Sequence, residues 1–293
     1  MSNRSAFLLA VSPAVVALVA AACSASPASD ASNPVASHSA PPPVVSAAPT
    51  ETAAPVASAS ATPAPSASAV VVAPPPKPEC PDGMVKVKGG HFEAGAMKRK
   101  VDIKDLCVDK TEVTTAAYTA CVQSGKCTST TLDCGKGFTY GVAGAENKPI
   151  VCVDYSQAKT FCEQRGARLP LDEEWEWVGR NGDEGRKYAW GNEEPKDQAC
   201  WSGEPGGPLS GPCEVGSHPG GTNPQGIVDL TGNVFEWTSS KAAATGTEMV
   251  CHGGSWKDGS AQGLPVARPG GFKQIYKCGY GGMRCFMDAP PTP

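Results

Sequence analysis

Asp229-Leu230-Thr231-Gly232-Asn233-Val234-Phe235-Glu236-Trp237 is the stretch that decides how this chain is read. Calcium takes six to eight oxygen ligands. A glycine-containing turn can aim several backbone carbonyls at one point, while the flanking carboxylates, Asp229 and Glu236, add charge. The other reading of the same residues is that the two acids cap turns. Downstream stand Gly253-Gly254-Ser255-Trp256 and Gly282-Met283-Arg284-Cys285. Upstream stand Gly89-Gly90-His91-Phe92, Asp109-Lys110-Thr111-Glu112-Val113-Thr114, Arg168-Leu169-Pro170 with Glu174-Trp175-Glu176-Trp177, and Tyr188-Ala189-Trp190-Gly191.

Between these blocks the regular elements are few. Met84 to Val87 runs into Gly89-Gly90, and Leu106 to Val108 runs towards Thr111-Glu112-Val113, each reading as a short strand closed by a turn. Thr114 predicts an N-cap for a helix through Ala117, Ala120 and Cys121 that stops at Gly125. Ser156 predicts the cap of a second, with Ala158, Phe161 and Cys162 on one face and Gly166 as its end. Asp172 opens a third, with Glu173 and Glu174 at its positive end and Trp175 and Val178 one turn apart. After Arg180 glycine, proline, asparagine and tryptophan dominate, so compact loops replace long helices and the class is α+β. Trp175, Trp177, Trp190 and Trp237 are the large apolar residues that a loop-rich body needs for its core.

The seven blocks, in this order, resemble the formylglycine-generating enzyme family, also called the sulfatase-modifying factor family, across nearly all of residues 84–286. The resemblance implies one C-type-lectin-like domain over residues 80–288, rich in irregular loops. It implies calcium held by side-chain oxygens of Asp229 and Glu236 and by the carbonyls of Gly232 and Val234. A second calcium site of the family is broken, because Cys200 stands where an asparagine ligand is expected. Cys162 and Cys285 match positions that the family joins by a disulfide, tying a helix to the last strand.

The resemblance also marks a departure. Oxidising members bind copper(I) through two thiolates spaced C-x-x-x-x-C just after the G-G-S-[WY] block, and use it with oxygen to oxidise a cysteine of a client sulfatase. Copper(I) is soft and requires sulfur donors of this kind. Here the two matching positions are Asp258 and Gly263, and no cysteine pair anywhere has that spacing. Copper is therefore not expected. Branches that oxidise with iron use histidine ligands, but His91, His218 and His252 are scattered singly. No G-x-S-x-G elbow supports a hydrolase.

Twelve cysteines lie between Cys80 and Cys285, an even number that suits disulfides in an oxidising compartment. No C-x-x-C offers zinc a site. Cys200 with Cys213 and Cys251 with Cys278 are short-range pairs able to staple glycine-rich loops.

The amino terminus reads as an export signal. Arg4 is followed by an apolar run from Ala6 to Val19 and by Ala20, Ala21 and Ala22 ahead of Cys23. The run is too short to favour a spanning helix. The pattern resembles a bacterial lipoprotein signal over residues 1–22, with Cys23 as the lipidated residue and Ser24 directing it to the outer membrane. Residues 24–79 hold 13 of the 28 prolines and no aromatic residue or glycine. Such a segment cannot bury enough apolar surface to offset the entropy of ordering it, so residues 23–79 are expected to form an extended tether. From Cys80 onward, 23 Lys/Arg stand against 26 Asp/Glu with no basic run, which argues against a nucleic-acid partner.

Two functions follow. One is a noncatalytic binding or structural module anchored in the envelope, whose loops at 193–217 and 239–280 meet a glycan, peptide or protein. The alternative is an oxidoreductase that makes formylglycine on a sulfatase cysteine, or a related metal-dependent oxidase with a divergent site.

Overall fold

Short apolar runs bounded by glycines make strands of only two to seven residues in the computed structural model, which describes residues 79–203 and 207–291. The expected signal, the lipidated Cys23 and all but the last residue of the tether lie outside the described residues. Met84–Val87 (β1) is followed by a hairpin of Gly90–Ala94 (β2) and Arg99–Ile103 (β3). Leu106–Asp109 (β4) is buried at all four residues because it lies between β1 and Phe286–Asp288 (β9), antiparallel to both. The other sheet is built from Phe235–Lys241 (β5), Glu248–His252 (β6), Gly270–Lys273 (β7) and Gly281–Gly282 (β8), in the order β7-β6-β5-β8. Its β5–β8 pairing is parallel and the rest antiparallel.

Three helices pack against these sheets. Thr114 caps Thr115–Gln123 (α1), its Oγ1 accepting from the Ala117 N–H at 3.2 Å. The second helix, Tyr155–Gln164 (α2), is capped by Asp154 and not by Ser156. The aspartate wins because Gln157, three residues on, closes a capping box: Asp154 accepts from the Gln157 N–H at 2.9 Å and Gln157 accepts from the Asp154 N–H at 3.2 Å. In Asp172–Gly179 (α3) the first turn carries Asp172, Glu173 and Glu174 at the positive end of the helix dipole, and Glu174 accepts from the Leu171 N–H at 2.7 Å. Its Trp175, Trp177 and Val178 turn inward onto Leu106, Val108, Leu230 and Phe286. A second apolar cluster joins α1 and α2 to β5 and β6 through Tyr118, Phe161, Leu169, Trp237 and Met249. Trp190 is only half-buried and stacks on Tyr188 at 4.9 Å.

With so little regular hydrogen bonding, cross-links carry much of the constraint. Five disulfides form among the described residues: Cys80–Cys107, Cys121–Cys127, Cys134–Cys152, Cys162–Cys285 and Cys200–Cys213. The Cys162–Cys285 bridge spans 123 residues and ties α2 to the entry of β9. Cys251 and Cys278 are both buried and remain thiols, contrary to the pairing read from their spacing. Cys251 sits on β6 and Cys278 just before β8, near enough for the charge of one to act on the other, yet no bond joins them. Five bridges suit an oxidising, extracytoplasmic setting. Among the described residues no helix is long and apolar enough to cross a membrane.

Candidate functional site

The block Gly253-Gly254-Ser255-Trp256 leaves β6 in a turn held by its neighbours. Trp256 N–H donates to the Asn233 carbonyl at 2.7 Å, and its indole N–H donates to the Gly279 carbonyl at 2.7 Å. The next turn brings Asp258 back onto the block, where one carboxylate oxygen accepts from the Ser255 N–H at 2.8 Å and from the Ser255 hydroxyl at 2.9 Å. Burial pushes the Asp258 carboxyl above its ordinary value, against the opposing pull of those two bonds. Gly263 lies directly against this carboxylate. A methyl group added to it would stand 2.9 Å from Asp258 Cγ and nearer still to Oδ1. The two positions are therefore coupled: the aspartate occupies the volume that a side chain at 263 would need.

Beneath this turn, the stretch from Asp229 to Val234 is buried and carries backbone that only certain residues tolerate. Gly232 has φ +84°, with Asp229 at +57° and Asn233 at +55°, and Asp and Asn are the side chains most at ease there. Glu236 is fully buried. The Arg284 guanidinium grips its carboxylate, with Nη2 to Oε1 at 2.8 Å and Nε to Oε2 at 3.0 Å, while the Trp175 indole donates to Oε2 at 2.6 Å. Arg284 also donates to the Asp109 and Val228 carbonyls. Asp229 accepts from the Gly216 N–H at 2.5 Å, and burial raises its carboxyl.

A third acid completes the group. Glu112 is 1% exposed, faces Asp229, and has no hydrogen-bond donor on either carboxylate oxygen. Burial first, then the Asp229 charge, pushes its carboxyl well above the usual range. Glu112 and Asp229 thus lie within the field of a guanidinium whose bonds to other side chains all go to Glu236. The sequence reading passed over Glu112 and Arg284, although both stand inside quoted blocks. The available signal was a glutamate between Thr111 and Val113, in a segment otherwise bound for the core.

The histidines do not converge. His91 is exposed beside Asp102, His218 lies next to Ser217, and buried His252 stacks on Trp175 at 4.7 Å while meeting Asp172 at 2.5 Å. Among the described residues no three His, Cys, Asp or Glu side chains gather as a metal-holding group.

Residues 70–289 match the sulfatase-modifying factor enzyme 1-like domain. The chain belongs to the sulfatase-modifying factor family. Its C-type-lectin-like fold is shared with Treponema denticola variable protein 1, at a TM-score of 0.56 and 20% identity over 70% of this chain and 94% of that one. Inactive C-alpha-formylglycine-generating enzyme 2 of Bos taurus is 40% identical over 127 residues, 39% of this chain and 41% of that protein. The formylglycine-generating enzyme of Streptomyces coelicolor is 30% identical over 185 residues, 54% of this chain and 58% of that protein. The chain thus spans less than two thirds of the length of these last two relatives.

The family uses copper and calcium, and the residues present fit the two metals differently. Asp258 and Gly263 offer one hard carboxylate and a bare backbone, which is not a donor set for copper(I). The two thiols of the described residues belong to neither position: they are Cys251 on β6 and Cys278 beside Gly281, which stand near each other in the core. Calcium fits better, since the unmet Glu112 oxygens beside Asp229 are hard donors buried without a partner.

Proposed function

We propose that this sulfatase-modifying factor domain is a noncatalytic binding or structural module, carried on a lipid anchor at Cys23 in the bacterial envelope and facing an envelope glycan, peptide or protein. The observation that supports it is the Asp258 carboxylate seated against the Gly263 α-carbon, with Ser255 satisfying one of its oxygens. A site of that form has no sulfur to hold copper(I), and the carboxylate fills the volume in which a second side chain would have to stand. The similarity to an inactive C-alpha-formylglycine-generating enzyme 2 points the same way. Residues 24–79, with 13 prolines, suit a tether that gives the body reach from the membrane.

A structural calcium belongs to the same reading. Asp229 and Glu236, with the carbonyls of Gly232 and Val234, would hold it, and its charge would offset the buried acids. Among the described residues no three acidic side chains gather at metal-holding distance, so backbone carbonyls and water would supply the rest of the shell. When bound, calcium supplies positive charge and rigidity, and no chemistry is routed through it.

Two assays on the purified full chain test the proposal. Oxygen uptake with copper and a cysteine-containing peptide is expected to stay at the protein-free rate, and a glycan and peptide array is expected to give saturable binding. Copper-dependent oxidation of the peptide would overturn the noncatalytic reading, and an array without saturable binding would overturn the binding role.

A further inference from the structure

The interior group of Glu112, Asp229, Glu236 and Arg284 has an unequal distribution of donors. Glu236 accepts three bonds from Arg284 and one from Trp175, and Asp229 accepts one from Gly216. Glu112, 1% exposed, accepts none, although its carboxylate faces that of Asp229. The Val228 N–H donates to the Lys110 carbonyl and brings the two segments together. The Glu112 and Asp229 carboxyls therefore lie side by side, near enough to share one proton, and no N–H reaches Glu112, which leaves a place for something positive. The nearby guanidinium does not fill it, because its donors go to Glu236 and to the Asp109 and Val228 carbonyls.

We propose that Glu112 is an additional ligand for a hard divalent cation, calcium, which it binds jointly with Asp229. This inference rests on the calcium reading given above and changes its donor set. The pair supplies the site's unmet carboxylate oxygens, while Glu236 serves chiefly to anchor Arg284 and Trp175. Oxygen donors at this charge density suit calcium over soft or nitrogen-seeking metals. Glu112 stands just after β4 and Asp229 more than a hundred residues later, so the ion would clamp the β1-β4-β9 sheet to the loop that enters β5.

The test is calcium titration of the chelator-treated full chain by calorimetry, with thermal melting in parallel. Wild type is expected to bind one calcium ion and to melt higher with it. Glu112→Gln keeps the shape and lets its amide N–H donate to Asp229. It should therefore melt at least as high as wild type in chelator, bind calcium at least tenfold more weakly, and lose most of the calcium-induced rise. Glu112→Asp, which keeps the charge but shortens the arm, should bind with intermediate affinity and guards against a Gln variant that fails to fold. Wild-type binding with unchanged affinity in both variants would overturn the role of Glu112 alone. No calcium binding by wild type would overturn this inference and the underlying calcium reading together.

Discussion

Replacing Gly263 by alanine tests whether Asp258 truly occupies the neighbouring volume. The added carbon would lie 2.9 Å from Asp258 Cγ, well inside the roughly 3.5–4 Å of an ordinary carbon contact. The carboxylate must swing away, giving up its bonds from the Ser255 N–H and hydroxyl at 2.8 and 2.9 Å. Hydrogen bonds to a charged group contribute about 1.5–3 kcal/mol each, but the half-buried Asp258 regains part of this from water, so Gly263→Ala is expected to cost about 2–3 kcal/mol. Asp258→Ala loses the same two bonds and should cost about 2 kcal/mol. The pair Asp258→Ala with Gly263→Ala should cost no more than Asp258→Ala alone, because the alanine at 263 then has nothing to strike. Urea unfolding with the disulfides intact reads this directly: at a slope near 2 kcal/mol/M, each single variant lowers the midpoint by about 1 M and the double variant by no more. Additive losses, within about 0.5 kcal/mol, would show that the two positions do not interact and would refute the packing argument.

Other expectations follow from the same structure. Removing the Cys162–Cys285 bridge by paired alanine substitution frees a 123-residue span and is expected to cost about 3–5 kcal/mol, seen as a lower melting temperature. The folded Asp258 carboxyl is raised, so the folded state holds its proton more tightly than the unfolded one. Stability from this group is present below the ordinary value of 3.8 and is lost as pH climbs through the raised value. Asp258→Asn should flatten that decline in a comparison of urea midpoints across pH, and parallel profiles would count against it. Two thiols should react with a chromogenic disulfide reagent only after denaturant is added, since Cys251 and Cys278 are buried and burial raises the Cys251 thiol further.

The α+β class and the helix positions were legible because each rests on local chemistry. Thr114 has the right oxygen at a helix start, and the acids of α3 sit at its positive end. The cap of α2 was misplaced by two residues, since Ser and Asp both cap and only the partner at Gln157 separates them. Cys200 and Cys213 are near in sequence and bridged, whereas Cys251 and Cys278 come near each other in the core and stay unbridged, an outcome that spacing does not encode. The acids quoted from the block at residues 229–237 were visible as carboxylates, but what faces them was not. Arg284 reaches Glu236 across 48 residues and Glu112 reaches Asp229 across still more, so the balance of charge emerges only once the chain has folded. The fit between Asp258 and Gly263 was half visible: the missing thiols are plain in the sequence, and the carboxylate filling the gap is a matter of three-dimensional packing.

This domain keeps its family's architecture without the family's copper donors at Asp258 and Gly263. Anaerobic titration of the full chain with copper(I), in competition with a chromogenic copper(I) chelator, tests it most directly. The chelator is expected to keep the metal at every ratio. Retention of one equivalent of copper by the folded protein, released by no change other than substitution at Asp258 or Gly263, would contradict it.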